Sequence, residues 1–247
     1  MRQTTVKSYI YFLKHPNYNS CDQSVPQKIK ELIKLYLITL GLIFLSGIFI
    51  ELFIILDVFG EYSQEISKVP EFTSKNNTYI YVLIAMICGP VFEEFMFRLL
   101  LTKYNRKFII ISLSLIIGYF ITQIFNSYLL AISSVFIYSI MTYGYPVIFA
   151  LPLFIMLNRI KFDFEKIWIK NHPIIFYSMT LFFAIVHMQT LTMSNEHYLF
   201  LPILMLPFIV LSISLGYIRI KLGILYAIIF HFLINLPALI GILIRAS

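Results

Sequence analysis

Residues 92–98 read Phe-Glu-Glu-Phe-Met-Phe-Arg, and this stretch decides how the fold of the chain is interpreted. It places two carboxylates and one guanidinium inside a segment, Tyr79 to Leu101, that is otherwise apolar enough to span a bilayer. A charged side chain at the centre of a membrane helix costs about 2.5 to 3.5 kcal/mol, so three unpaired charges would cost roughly 8 to 10 kcal/mol. A cost of that size requires either partners for these groups or a function that uses them.

The composition is typical of a polytopic membrane protein. Of the 247 residues, 60% are hydrophobic and 13% are charged, and the mean hydropathy is +0.85. Soluble domains contain about 25% charged residues. Long apolar segments, without alternating ten-residue strands and turn signals, argue against an outer-membrane barrel. The composition therefore predicts an all-α fold, a polytopic transmembrane helical bundle.

Seven apolar segments are candidate spans, or eight if the fourth segment, which Gly144-Tyr145-Pro146 interrupts, forms a re-entrant pair. The segments run from Leu35 to Leu56, Tyr79 to Leu101, Phe108 to Phe125, Tyr128 to Leu157, Ile174 to beyond Val186, Tyr198 to Tyr217 and Leu222 to Ile244. Seven spans place all the basic clusters of the loops on one side of the membrane, as the positive-inside rule prefers. We therefore expect a cytoplasmic N-terminus.

The predicted domain organisation is a basic cytoplasmic N-terminal segment, residues 1–30, followed by a single membrane domain, residues 31–247. The net charge of +7 does not indicate a nucleic-acid partner, because the basic residues lie between apolar segments instead of forming one face or tail. The expected surroundings are the lipid bilayer. Two cysteines, Cys21 and Cys88, provide neither a disulfide framework nor a Cys-x-x-Cys metal site.

Helical spacing separates the two adjacent carboxylates of the opening stretch. Glu94 and Arg98 are four residues apart, so on a helix they share a face and can form an ion pair. Glu93 lies about 100° around the helix axis and does not reach the same partner. We expect Glu94 and Arg98 to be structural support and Glu93 to be the group that transfers protons. The alternative interpretation is that both carboxylates lie at a loop end and reach the membrane interface.

Three further polar residues occur inside apolar segments. His187 lies near the end of one segment, and His231 lies well inside the last one, with Asn235 one turn later on the same face. A single histidine in a membrane helix is often a packing residue, but here the histidines accompany buried charges. We expect the bundle to collect these three residues around Glu93 in an intramembrane catalytic cavity, which would hold a base for water and donors for an oxyanion.

The same side chains are compatible with a metal ion, since Glu93, His187 and His231 supply a donor set that zinc accepts. The sequence lacks the His-Glu-x-x-His motif of soluble zinc proteases, and it lacks the Gly-x-Ser-x-Gly and Gly-x-Gly-Asp motifs of serine and presenilin-type aspartyl proteases. Glutamate-activated water is the chemistry that remains. We expect no required cofactor, with a divalent metal such as zinc as the alternative.

Three short motifs occur in order, each in an apolar segment: Glu93-Glu94-x-x-x-Arg98, Phe183-x-x-x-His187 and His231-x-x-x-Asn235. They resemble the three motifs of the CAAX-protease and bacteriocin-processing membrane proteins, the CPBP or Abi family, which includes the Ras-converting prenyl-protein endopeptidase. Gly89-Pro90 before the first motif and the stretch from Leu215 to Arg219 before the third look like the flanks of the family's motifs. The resemblance covers about residues 79–237.

The resemblance implies an intramembrane endopeptidase, a hydrolase. Glu93 would activate water with help from His187, while His231 and Asn235 would stabilise the oxyanion. The implied substrate is a membrane-associated peptide or protein tail, either lipidated, as in CAAX processing, or unmodified, as in peptide maturation and immunity. The chain departs from the family between its first two motifs, where residues from about 108 to 172 form an apparent insertion that leaves the substrate open.

Two other functions would use the same residues. A proton-coupled transporter would use the buried glutamate and histidines as a relay, although no inverted repeat with matched broken helices is visible. A non-catalytic immunity or binding membrane protein would keep the same fold without turnover.

Overall fold

The computed structural model describes residues 5–56, 84, 86–126, 140–160, 165–188 and 200–246. Every regular element within these residues is helical and they contain no strand, which confirms the prediction of an all-α fold. The α-helices are α1 (Thr5–Lys14), α2 (Val25–Ile55), α3 (residues 86–93), α4 (Arg106–Asn126), α5 (Tyr145–Arg159), α6 (Glu165–Lys170), α7 (His172–Met188), α8 (Leu201–Leu204), α9 (Leu206–Lys221) and α10 (Ile224–Ala246). A π-helical turn, π1 (Glu94–Arg98), continues directly from α3, and another, π2 (Ile140–Gly144), leads directly into α5.

Helix α9 lies at the centre of the described bundle. It packs against α2, α7 and α10, and all its residues from Ser214 to Ile220 are buried. Gly216 allows the close approach of α7, because a Cβ atom at this position would lie 2.6 Å from the Phe176 ring. The polar side chain of Ser214 has partners on both sides, since its Oγ lies 2.9 Å from Thr39 Oγ1 and 3.0 Å from the Tyr9 hydroxyl. This satisfies the rule that buried polar groups are hydrogen-bonded.

Helix α1 is part of the same core, although the sequence places it in a separate N-terminal segment. Tyr9 and Phe12 are buried, and each ring meets the ring of Tyr217 on α9 edge-on at a centroid distance of 5.1 Å. Such edge-to-face contacts contribute about 0.5 to 1.5 kcal/mol beyond the burial of their area. The domain boundary at residue 30 stays a prediction, but α1 itself packs against the bundle.

Helices α4 and α5 form a closely packed pair beside π1. A Cβ atom on Gly118 would lie 2.3 Å from the backbone oxygen of Pro146, so only glycine permits this spacing. The Ser112 hydroxyl on α4 donates a hydrogen bond to the Met96 carbonyl of π1. Both helices belong to the apparent insertion, which therefore packs directly against the charged stretch.

Within the described residues, three helical segments are long and apolar enough to cross a membrane: Val25–Ile55, Arg106–Ile124 and Ile224–Gly241. Helix α7 is also apolar but shorter. Large apolar side chains point outwards, for example Phe44 and Leu45 on α2, which are 69% and 61% exposed. These features are consistent with a membrane protein. The count of seven or eight spans stays a prediction. Residues 57–83 and 127–139 lie outside the described part of the chain, and they overlap the second and fourth predicted spans.

Candidate active site

The charged stretch forms a π-helical turn rather than the α-helix that the sequence predicts. Glu94 and Arg98 are the first and last residues of π1, and both are buried together with Met96 and Phe97. Between them, Phe95 points outwards and is 38% exposed. π-Helices are rare and occur frequently at functional sites. The i, i+4 pairing of Glu94 with Arg98 is preserved in this wider turn.

Glu94 and Arg98 form a fully buried ion pair. Arg98 Nη1 lies 3.5 Å from Glu94 Oε1, and the two side chains are 1% and 0% exposed. Arg98 has two further partners: its Nη2 donates to Ser212 Oγ at 3.0 Å, and its guanidinium lies 3.9 Å from the centroid of the Phe183 ring. The charge of Arg98 is therefore balanced by a carboxylate, a hydroxyl and an aromatic face.

His231 lies between the two glutamates. Its Nδ1 is 3.0 Å from Glu94 Oε1, and its Nε2 is 3.7 Å from Glu93 Oε2. The ring is 2% exposed. Because Glu94 also pairs with Arg98, one buried carboxylate fixes the position of both side chains. The sequence predicts Glu94 and Arg98 as structural support of the site, but it does not predict that Glu94 also orients the histidine.

Glu93 and His187 form the more accessible part of the site. His187 Nε2 lies 3.5 Å from Glu93 Oε2, and both side chains are 25% exposed. The His187 Nδ1 lies 2.9 Å from the Phe183 carbonyl oxygen, one turn earlier on α7. Its ring lies tilted against those of Phe183 and Phe208, at centroid distances of 4.1 and 5.3 Å. These contacts define the direction in which Nε2 points.

The hydrogen-bond partners of the two histidines assign their tautomers. A carbonyl oxygen and a carboxylate only accept hydrogen bonds, so the Nδ1 atoms of His187 and His231 each carry a proton. In the neutral rings, both Nε2 atoms then present a lone pair towards Glu93. Glu93 Oε2 is itself a buried acceptor without a hydrogen-bond donor among the described residues. Three acceptor atoms that converge in this way bind a shared proton donor, such as water, or hold an extra proton on one ring.

A pocket of about 200 Å³ opens beside Glu93 and His187. Its lining combines residues of or near the motifs with polar and aromatic residues of the apparent insertion. The lining residues are Phe92, Glu93, Met96, Tyr119, Gln123, Thr142, Tyr143, Val186 and His187. The insertion therefore borders the most accessible carboxylate of the site.

Asn235 is not part of this convergence. It lies one turn beyond His231 on α10, is partly exposed, and makes no hydrogen bond to Glu93, His187 or His231 in the described structure. Ser212 is a partner of Arg98 that sequence reasoning missed. Its signal is its place in an apolar segment, where a polar side chain requires a partner.

The donor atoms of Glu93, His187 and His231 are of the kinds that zinc binds. Within the described residues, however, no group of three or more His, Cys, Asp or Glu side chains is arranged to hold a metal ion. Metal dependence stays a prediction.

Three helices thus bring Glu93, His187 and His231 together, and Glu94 and Arg98 lie directly behind them. No family model, curated protein or solved structure matches this chain.

Proposed function

We propose that this chain is a polytopic membrane endopeptidase of the CAAX-protease and bacteriocin-processing type, in which Glu93 activates water. The observation that supports this most strongly is the position of Glu93 Oε2, 3.5 Å from His187 Nε2 and 3.7 Å from His231 Nε2. A general base must lie within reach of the water whose proton it takes, and these three atoms surround one such position. Glu93 and His231 each begin a motif and His187 ends one, so three regions that are far apart in sequence supply these atoms.

In the proposed reaction, a water molecule between Glu93 and His187 attacks the carbonyl carbon of a peptide bond. Glu93 accepts a proton from the water as the new C–O bond forms, and the carbonyl π electrons move to the oxygen. The proton then passes to the amide nitrogen as the C–N bond breaks. The products are a carboxylic acid and an amine, and general base catalysis of this kind contributes about 10² to 10⁴ in rate.

His231 stabilises the oxyanion in its protonated form. Its Nδ1 proton is donated to Glu94 at 3.0 Å, so Nε2 donates to a substrate oxygen only after it receives a second proton. Asn235 as a second oxyanion donor stays a prediction, which requires a shift of α10 or of the amide towards the site.

The proposed substrate is a membrane-associated peptide or protein tail, lipidated or unmodified. A bundle of seven spans with a cytoplasmic N-terminus would give such a tail access from the membrane surface, and the three long apolar helices support a location in the bilayer. Tyr119, Gln123 and Tyr143 line the pocket beside Glu93, so the insertion supports a substrate pocket particular to this chain.

The test compares wild type with Glu93→Gln and His187→Ala, each purified into lipid nanodiscs and incubated with membrane peptides, half of which carry a prenyl group. We expect Glu93→Gln and His187→Ala to lose cleavage by at least 10²-fold each. Glu51→Gln and His15→Ala are matched controls, because these side chains are exposed and lie on α2 and just after α1. The controls should cleave within about twofold of wild type.

Full cleavage by both Glu93→Gln and His187→Ala, with thermal unfolding like that of wild type, would reject the peptidase. A partner that crosslinks equally to wild type and Glu93→Gln, without any cleaved product, would favour a binding or immunity protein instead. Proton-driven uptake in liposomes that Glu93→Gln abolishes would favour a transporter. Treatment with a chelator tests the metal: unchanged cleavage is expected, and loss that zinc restores would show a metal requirement.

A further inference from the structure

A second cavity of about 480 Å³ lies away from the active site, where α2 begins and α9 ends. Four basic side chains line it, namely Lys28, Lys103, Arg219 and Lys221, and we call this cavity the cationic cleft. They come from three separate basic clusters of the sequence, at the start of α2, after π1 and at the end of α9. One carboxylate, Asp22, also lines the cleft, which leaves it with a net positive charge.

Lys28, Lys221 and Arg219 of the cleft donate hydrogen bonds to neutral acceptors. Lys28 Nζ donates to the Leu222 carbonyl at 3.4 Å, and Lys221 Nζ donates to Asn17 Oδ1 at 3.2 Å and to the Asn19 carbonyl at 2.8 Å. Among the residues that the structure describes, no carboxylate lies within 4.0 Å of any of the four charged groups. Like charges in one cavity repel each other, so an anion in the cleft would be bound favourably.

The burial of Lys221 points in the same direction. Removal of its ammonium from water lowers the pKa of Lys221 below the usual value. A bound anion would compensate for this loss of hydration by a direct charge interaction. Arg219 also borders the cleft, and it is 9% exposed. Its Nε donates to the Arg98 carbonyl at the end of π1, and its Nη2 donates to the carbonyl of the next residue, Leu99.

The surroundings of the cleft match those of a lipid headgroup. Two helices lead from the cleft into apolar segments, and both carry exposed apolar side chains near it. On α2, Ile29 and Ile33 are 47% and 56% exposed, and on α10, Leu225 and Ile229 are 62% and 40% exposed. A charged group at the cleft would therefore have apolar surface directly beside it for acyl chains.

We propose that the cationic cleft binds a phosphate group, supplied by the headgroup of an anionic phospholipid. Inorganic phosphate presents the same charged group in soluble form, and the experiment distinguishes it from the lipid headgroup. Lys103 supplies an exposed charge, Lys28 and Lys221 supply half-buried charges, and Arg219 supplies a buried one. None of the cations of the cleft belongs to the glutamate and histidine cluster, so phosphate binding and the peptidase proposed above are tested by separate variants.

The test titrates the purified full-length protein in detergent with phosphatidylglycerol or phosphatidylcholine, and native mass spectrometry counts the bound lipids. The variant Lys28→Gln/Lys103→Gln should bind phosphatidylglycerol about 25-fold more weakly than wild type, since each lysine contributes about fivefold. Lys107→Gln is the matched control, because Lys107 is an exposed member of the same basic cluster as Lys103 and does not line the cleft. Thermal unfolding in phosphate or chloride at equal ionic strength tests the soluble source.

The lipid source is supported if wild type binds phosphatidylglycerol selectively, the double variant loses this binding and Lys28→Arg/Lys103→Arg retains it. Stabilisation of wild type, but not of the double variant, by inorganic phosphate supports the same site with a soluble ligand. The proposal is overturned if inorganic phosphate has no effect and either of two results is found. In one, wild type and the double variant bind phosphatidylglycerol equally; in the other, wild type binds phosphatidylcholine with the same affinity as phosphatidylglycerol.

Discussion

Replacement of Arg98 by methionine removes the charge that forms an ion pair with Glu94. The two side chains are 1% and 0% exposed, and Arg98 Nη1 lies 3.5 Å from Glu94 Oε1. At an effective dielectric constant of about 20, this attraction amounts to about 5 kcal/mol. Removal of one partner from a buried pair costs about 3 to 5 kcal/mol, because the other charge stays buried. We expect Arg98→Met to lower the free energy of unfolding by about 3 to 5 kcal/mol.

Removal of the second charge should reverse much of this loss. In Arg98→Met/Glu94→Gln, the glutamine is neutral and its amide oxygen still accepts the Nδ1 proton of His231, which lies 3.0 Å from the carboxylate oxygen in the wild type. A buried ion pair that is replaced as a whole is often neutral for stability. The double variant should therefore be more stable than Arg98→Met by about 2 to 3 kcal/mol.

The free energy of unfolding is measured by titration with sodium dodecyl sulfate in mixed micelles. Fluorescence of Trp168, the single tryptophan, reports unfolding because this residue packs against the main core. Arg159→Met is the matched control, since Arg159 is exposed at the end of α5, and its effect should stay within about 0.5 kcal/mol. A loss of less than about 1 kcal/mol for Arg98→Met would refute the buried ion pair as described here.

Three further predictions concern packing, backbone conformation and pH. Gly118→Ala should lower the free energy of unfolding by about 1 to 3 kcal/mol in the same titration, because the new Cβ would lie 2.3 Å from the Pro146 oxygen, while Gly47→Ala, with nothing within 4 Å, should be neutral or stabilising. Gly223→Ala should cost about 1 to 2 kcal/mol of thermal stability, because the residue has φ of 112°. His172 precedes the apolar part of α7, and burial lowers its pKa in the folded protein. As the pH drops below about 6.5, His172 is protonated in the unfolded protein before it is protonated in the folded one, so the stability of the fold decreases. Thermal unfolding between pH 8 and pH 5 should show a smaller loss for His172→Phe than for wild type.

The sequence predicts those parts of the site that depend on local spacing or on the cost of burying charge. The Glu94–Arg98 pair follows from four-residue spacing, which brings side chains together in both α and π geometry. The contact of Glu93 with two distant histidines follows instead from the cost of burying polar groups without partners. Polar groups in apolar helices need partners, and few polar residues are present in these segments to supply them.

Other parts of the site depend on tertiary contacts that no local pattern reveals. The π-helical turn and the hydrogen bond of Arg98 to Ser212 arise only when α9 packs against π1. Asn235 shares the face of His231 on α10, as four-residue spacing predicts, but it makes no hydrogen bond to Glu93, His187 or His231 in the described structure. The direction of its amide depends on the packing around α10, which spacing alone does not give, and its role as an oxyanion donor stays a prediction.

The π-helical turn that carries the charged pair is held by side chains from its neighbours. Buried carbonyl groups that the turn leaves without a helical partner need partners outside it. The Ser112 hydroxyl binds the Met96 carbonyl, and Arg219 donates from Nε to the Arg98 carbonyl at 3.1 Å and from Nη2 to the Leu99 carbonyl at 3.3 Å. Arg219 also lines the cationic cleft. A phosphate bound in the cleft would therefore act on the same guanidinium that fixes the end of π1, and through π1 on the position of the base.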